Sequence, residues 1–359
     1  MNFVKTSYSP DDVTVLLQDV RGQVPILDTK ERERLNQSGV HYSEMLPLEY
    51  VPTDEYFELY NNSLKTLAAD TALATKALAD KIIAKHPNPV IVSLARAGTP
   101  IGILLRHEFK KMNVDAPHYT ISIIRGKGID IAAMNYIIKR HDAKDIVFVD
   151  GWVGKGAIAR VLEDAVSDLK SYSSAFDGLS AELAVLSDPA SVTDLYGTRQ
   201  DFLIPSACLN ATVSGLFSRT VKTQSMTDDE LHGAVYYYKN EDADVSNQFI
   251  QAVLGADTSD VTLVPSEAEA DETFKGIDEV KEIAERFGIN DINKIKPGVG
   301  ETTRVLLRRV PDRILIREDA PAKYTANIMQ LAKEKNIPVE IYPFKKYNVC
   351  GIIKDVADL

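Results

Sequence analysis

Two short stretches of the chain place small residues, a cation and an acid where a phosphorylated ligand needs them. Residues 93–100 read Ser-Leu-Ala-Arg-Ala-Gly-Thr-Pro. Ala95, Ala97 and Gly98 leave the backbone N–H groups open to an anion, and Arg96 adds a guanidinium that fits two oxygens at once. Residues 150–156 read Asp-Gly-Trp-Val-Gly-Lys-Gly. Asp150 suits a sugar diol or Mg²⁺. Gly151, Gly154 and Gly156 suit close approach of a phosphate, and Lys155 can meet one. The stretch is too short for a nucleoside-triphosphatase loop and lacks the Ser or Thr after its Lys, which excludes that chemistry. Between the two, Arg125 and Lys127 flank Gly126, as in a mobile lid that carries charge to a pyrophosphate. The plainer readings are ordinary strand-to-helix turns and a solvated turn.

A second set points elsewhere. Cys208 and a distant His232 are the residue types of a thiol hydrolase, although the apolar neighbours Ala207 and Leu209 favour a buried, inert thiol. His232 with Asp242 and Asp244 fits no firm metal spacing. His41 and Tyr42 lie among turn residues with Glu44, Glu49 and Tyr56. Near the end, residues 344–348 (Phe-Lys-Lys-Tyr-Asn) put Lys345 and Lys346 on a basic, aromatic edge of the kind that stacks on unpaired bases.

The elements that must position these residues follow from apolar spacing. Residues 56–85 have helical periodicity. The runs 89–94, 119–124, 145–149 and 182–186 read as strands, and 98–112, 129–140 and 156–169 as the helices between them. Strands alternating with helices imply an α/β fold with a parallel sheet and binding loops at the strand C-terminal ends. Further on, helices over 277–287, 303–309 and 324–335 alternate with strands over 313–317 and 339–342. That pattern predicts a smaller α/β/α sandwich.

The chain has 359 residues, 45% hydrophobic, with a net charge of −11. This length favours two domains and excludes a disordered chain. The acidity is uneven: residues 275–359 carry 16 Lys and Arg against 13 Asp and Glu, and the remainder carries 25 against 39. A divide near 260–275 is expected, with domains at 1–265 and 275–359. Two cysteines exclude a disulfide framework. No apolar run is long enough to span a membrane, and no basic-then-apolar leader opens the sequence, so a cytoplasmic protein is expected.

These residues resemble a family. The strand, acid and glycine-rich loop at Val149-Asp150-Gly151-Trp152, with Leu94-Ala95-Arg96-Ala97-Gly98 and Ile124-Arg125-Gly126-Lys127-Gly128, resemble the donor loops of type I phosphoribosyltransferases. With His41-Tyr42-Ser43-Glu44 and Ser214-Gly215-Leu216, nearly the whole chain is similar to the phosphoribosyltransferases fused to a pelota-type RNA-binding domain in tellurium-resistance and stress operons. Relatives there are sometimes labelled cysteine proteases of the StiP type. The resemblance implies a type I phosphoribosyltransferase-like parallel sheet with a flanking hood and a pelota or L7Ae-like tail. It implies phosphoribosyl diphosphate as donor, with Mg²⁺ held through Asp150, and a base-like acceptor chosen by a hood holding His41 and Tyr42. Asp150, Arg125 and Lys127 would be catalytic. The donor loops would be Ala95 to Gly98 together with Asp150, Gly151, Gly154, Lys155 and Gly156. Structured RNA would meet Gly298, Gly300, Glu301 and Arg304, aided by Lys345 and Lys346. The chain departs from the pattern where Gly151 replaces a second acid, Gly154 a Thr and Gly300 an Asn. Two alternatives stay open: an RNA-binding regulator whose transferase fold senses a nucleotide, and a hydrolase using Cys208. Acceptor identity and self-association stay open too.

Overall fold

The computed structural model describes residues 2–263 and 273–354. Most of the expected divide at 260–275 therefore lies outside the described residues. The larger body is built on a sheet of β1 (Thr14–Val15), β2 (Val90–Leu94), β3 (His118–Ile121), β4 (Ile146–Trp152), β5 (Leu183–Ser187) and β6 (Tyr196–Thr198). The spatial order is β1-β3-β2-β4-β5-β6, and every neighbouring pair is parallel.

α1 (Thr29–Gln37) precedes the helices that cover the sheet, and α6 (Ser246–Leu254) follows them in the chain. Alternation along the strands covers both faces. Ile91, Val147 and Val149 pack with α2 (Asp54–Lys85) and α3 (Gly98–Lys111). Val90, Val92, Ile146 and Phe148 pack with α4 (Ile131–Ile138) and α5 (Ala157–Tyr172). Burial on both faces is why these strands read as continuous apolar runs. Gly102 lets α3 sit directly on the sheet, since a Cβ there would fall 2.2 Å from the His118 ring. That ring is held between Ser93 Oγ at 2.7 Å and the Asp12 carbonyl at 2.9 Å.

The expected strand over 119–124 breaks at Ser122. Its hydroxyl bonds His232 Nδ1 at 2.8 Å and its carbonyl accepts from Asp130 N–H, so the chain leaves the sheet. Ile123–Ile124 then pairs with Gly128–Ile129 as a small hairpin. Asp130 caps the next helix, accepting from Ala133 N–H at 2.8 Å, which is why α4 starts two residues later than its apolar pattern suggests.

The smaller unit is a sheet of β7 (Ile295–Pro297), β8 (Pro311–Ile316), β9 (Val339–Ile341) and β10 (Val349–Ile353), in the order β7-β10-β8-β9. β10 is antiparallel to both neighbours, whereas β8 and β9 are parallel. Ile314 and Val349 face α8 (Val299–Arg308) and α9 (Ala322–Glu334); Leu315 and Cys350 face α7 (Gly276–Phe287). The expected α/β/α sandwich is thus present, and residues 349–353 add a central strand to the two strands expected there.

Both apolar cores run from the larger body into this unit. Polar ties reinforce the join. Asp70, fully buried on α2, accepts from Lys323 Nζ at 2.6 Å and from Tyr324 Oη at 2.9 Å on α9. A buried carboxylate holding both a cation and a hydroxyl costs far more to strip of its partners than a surface pair does.

Candidate functional site

The chain turns back on itself between β2 and β4. β2 leads to β3 on one side, and the sequence then crosses to β4 on the other. Loops leaving the carboxyl ends of two such strands diverge and leave a crevice, the usual ligand position in parallel sheets. The segments that meet here are residues 95–98 after β2 and residues 150–156, the end of β4 and the turn after it. They touch: a Cβ on Gly98 would lie 2.4 Å from the Val149 carbonyl, so only glycine allows that approach.

The crevice is a cleft of about 320 Å³. Ala97, Asp150 and residues 152–158 form one wall. Ile295, Lys296, Pro297, Glu301 and Arg304 of the smaller unit form the other. The donor loop and the RNA corner, read from the sequence as separate sites, therefore face each other. Asp150 Oδ1 accepts from Gly151 N–H at 2.8 Å. Burial raises its carboxyl to about 6, against the opposing pull of the Gly151 N–H and the Arg304 guanidinium. Arg304 lies over the Trp152 ring at 4.5 Å and 3.3 Å from Glu301. Gly156 takes φ +78 and opens α5, whose first N–H groups have no partner inside the helix.

Arg96 does not enter this cleft. It lines a second cavity of about 510 Å³ with Glu49, Arg219, Arg308 and Cys208. Ala97 lines the first and Arg96 the second, so the loop is the partition between them. Ala95 packs against the core.

Several expected roles change. Lys155 borders the cleft, but its ammonium donates to the Ile292 and Ile295 carbonyls. It ties the two units together instead of meeting a phosphate, and burial lowers it to about 8. Gly154 is pinned too, its carbonyl accepting from Tyr347 Oη at 2.7 Å. Arg125 and Lys127 do not line the cleft. They sit on the turn of the small hairpin, where Lys127 Nζ is 3.6 Å from Glu44 and a Cβ on Gly126 would lie 3.4 Å from His41. The expected lid and hood therefore meet each other. His41 Nδ1 bonds Ser43 Oγ at 2.8 Å, its ring is 4.5 Å from that of Tyr42, and Arg219 donates to the Tyr42 carbonyl.

The RNA corner is not open either. Gly298 abuts Asp201, and Gly300 lies against Trp152, where a Cβ would be 3.2 Å from the indole. Lys346 is buried and donates to Ser191 Oγ at 3.0 Å. Of the two lysines, Lys345 keeps an exposed ammonium, 3.5 Å from Glu282.

Cys208 and His232 are not brought together as a pair. Cys208 is fully buried, with Sγ 3.8 Å from Ser63 Oγ, and burial pushes its thiol up to about 11. His232 bonds Ser122 and donates its backbone N–H to Asp130, and burial lowers the ring to about 3. Among the described residues, no histidine lines the cavity that Cys208 borders.

Arg32, Arg308 and Asp201 carry no mark in the sequence reading, and Trp152 enters it only as part of the Val149–Trp152 motif. Arg304 and Arg308 are four apart on one helix and so share a face, a signal that was there to find. Nothing in the spacing marks Asp201.

Residues 6–254 match the family model described as tellurite-like stress resistance cysteine protease StiP, and residues 274–355 match the PELOTA RNA binding domain. A relative named cysteine protease StiP, from Acinetobacter baylyi, is 37% identical over 352 residues, covering 93% of this chain and 90% of that protein. Among solved structures, HGPRT-ase from Leishmania tarentolae in complex with GMP has a TM-score of 0.26 at 15% identity, covering 37% of this chain and 71% of that one. A mutant hypoxanthine phosphoribosyltransferase from Trypanosoma cruzi, complexed with the product IMP, also has a TM-score of 0.26 at 15% identity, covering 54% of this chain and 94% of that one. At that similarity neither structure bears on the fold of this chain.

Proposed function

This chain belongs to the family described as tellurite-like stress resistance cysteine protease StiP, and from the geometry of its cleft, not from that description, we propose that it is an enzyme of phosphoribosyl transfer rather than of thiol hydrolysis. The observation that carries the reading is Asp150. It is a recessed carboxylate at the end of a central parallel strand, beside a glycine-rich turn into a helix N-terminus, at the point where the strand order reverses. An acid there suits a ribose diol, and the α5 end suits a 5′-phosphate.

Asp150, with Glu301 on the facing wall, is a sparse carboxylate set of the kind that suits a Mg²⁺ ion taking most of its oxygens from substrate phosphates. Held by Asp150, such an ion would offset charge on the departing pyrophosphate. The protein's own part is to orient. Asp150 holds the ribose, and α5 holds the phosphate. The partition formed by residues 95–98 separates the donor cleft from the Arg96 cavity. An acceptor nitrogen then bonds to the ribose C1′, the C1′–O bond to pyrophosphate breaks, and the acceptor loses its proton to solvent.

The relative's name carries a protease activity, and a thiol would have to serve it here. The chain has two cysteines, both buried, and burial pushes both thiols up. A nucleophilic cysteine needs the opposite, a lowered pKa beside a base or a helix end. The pelota match supports RNA binding by the smaller unit, whose corner residues Glu301 and Arg304 border the cleft.

The test is pyrophosphate release from phosphoribosyl diphosphate and Mg²⁺ with a panel of bases. Turnover that survives Cys208→Ser and collapses in Asp150→Asn is expected. Turnover that survives Asp150→Asn refutes the reading.

A further inference from the structure

The cavity on the far side of the 95–98 partition is cationic in a chain that is acidic overall. Arg32, Arg96, Arg219 and Arg308 all border its space of about 510 Å³, with Glu49 as the facing carboxylate. Glu49 is largely committed: it accepts from Ala211 N–H at 2.8 Å and approaches Arg96 only at 3.4 Å. Four guanidiniums around one engaged carboxylate repel one another, and burial makes that repulsion stronger. The strain is visible in Arg219 and Arg308, which burial and neighbouring arginines lower to about 10.

Donor groups are also left over. Arg32 Nε and Arg219 Nε are buried without a hydrogen-bond partner. Arg219 is fixed by its other end, its Nη2 donating to the Tyr42 and Met45 carbonyls. Arg308 is fixed likewise, donating to Asn210 Oδ1 at 2.7 Å and to the Cys208 carbonyl at 3.3 Å. Arg219 is thus held in place with its Nε unspent, and Arg32 Nε adds a second unspent donor, the condition for capture of an oxyanion.

The mouth has the opposite character. Leu48, Tyr50 and Val51 are 47%, 71% and 52% exposed, next to Pro52 and Tyr56. Exposed apolar side chains at the mouth of a charged cavity suit a ligand with a flat apolar body and an acidic end.

We propose that this cavity binds a small aromatic or heteroaromatic carboxylic acid, its carboxylate against Arg32, Arg219 and Arg308 and its ring against Tyr50 and Val51. Because the 95–98 loop parts this cavity from the donor cleft, the acid is the ligand of a separate site and not the acceptor of the phosphoribosyl reading above. The binding itself does not depend on that reading.

The experiment is calorimetry on the full chain with pyridine monocarboxylates and dicarboxylates, the matching pyridine carboxamides, and inorganic pyrophosphate. The acids are expected to bind, the carboxamides at least tenfold more weakly, and added salt to weaken the acids. Arg32→Gln, on a helix at the edge of the cavity, and Tyr50→Ala, on its exposed rim, are each expected to weaken the acid tenfold without loss of folding. Equal binding of acids and carboxamides overturns the proposal, as does no binding of any acid at millimolar concentration. Displacement of the acid by pyrophosphate also overturns it, because the arginines would then belong to the donor. Phosphoribosyl diphosphate with Mg²⁺ is titrated separately. Donor binding without acid binding overturns this inference and leaves the transferase reading standing. Acid binding without donor binding supports this inference and counts against the transferase reading.

Discussion

Asp201 Oδ1 accepts a hydrogen bond from Val299 N–H at 2.8 Å, so a carboxylate of the larger body caps the first turn of α8 in the smaller one. Gly298 before it has no side chain with which to cap, and it takes φ +92. The second oxygen of Asp201 accepts from Asn348 N–H, also at 2.8 Å. This is the corner where the pelota resemblance puts RNA, and an anion already occupies the helix end that would meet a phosphate. Asp201→Ala should therefore open the corner and raise the full chain's affinity for stem-loop RNA at least tenfold in fluorescence anisotropy. Loss of the cap should lower stability by about 1–2 kcal/mol. Unchanged affinity would mean that RNA, if bound, uses another surface.

Both thiols should be silent in the native state. With Cys208 held at about 11, its thiolate fraction at neutral pH is on the order of 10⁻⁴. A chromogenic disulfide reagent should titrate neither cysteine in buffer and both in denaturant. Rapid stoichiometric labelling of Cys208 in the native chain would reopen hydrolase chemistry.

The acid limb of donor binding should report Asp150. Its carboxyl sits at about 6, so donor affinity should fall as pH drops through 6 and the carboxylate is protonated. The Arg304 guanidinium pulls that value down, so Arg304→Ala should move the limb to higher pH. Calorimetry between pH 5 and 8 reads both. A limb that stays fixed in Arg304→Ala would remove Arg304 from the cleft's electrostatics.

How far the sequence revealed this arrangement depends on what each signal measures. β-branched runs ending in glycine-rich turns located β2, β4 and β5 and the loops after two of them, because burial on both faces leaves a continuous apolar trace. The same signal merged β3 with the hairpin strand after it, since one serine hydroxyl bonded to a distant histidine, not hydropathy, ends β3 at Ser122. Residues 349–353, Val-Cys-Gly-Ile-Ile, went unread as a strand because Gly351 interrupts the apolar run that marks the others. The site suffered more. The glycines at 98 and 156 were legible as backbone requirements, but the roles of Lys155, Gly300 and Lys346 were set by the docking of the two units. Spacing along the chain carries no trace of that. Asp201 sits in an unremarkable stretch and matters only because α8 ends against it.

His118 should make the protein sensitive to acid. Burial lowers it to about 3, so the folded state holds it neutral while an unfolded chain takes up a proton below about 6.5. The stability this histidine supports is present above pH 6.5 and is lost as pH falls toward 3, by about 2 kcal/mol at pH 5. His118→Asn has no such proton to take up. Its deficit relative to the parent, measured by urea unfolding, should shrink by that amount between pH 7.5 and pH 5. A constant deficit would show that His118 already titrates normally in the folded protein.

The central claim is that the crevice between β2 and β4 receives phosphoribosyl diphosphate. Calorimetric titration of the full chain with that donor and Mg²⁺, beside Asp150→Asn and Cys208→Ser, addresses it most directly. Saturable binding by the parent, the same affinity in Cys208→Ser, and at least a tenfold loss in Asp150→Asn are expected. No binding by the parent at millimolar donor, or equal binding in Asp150→Asn, would contradict it.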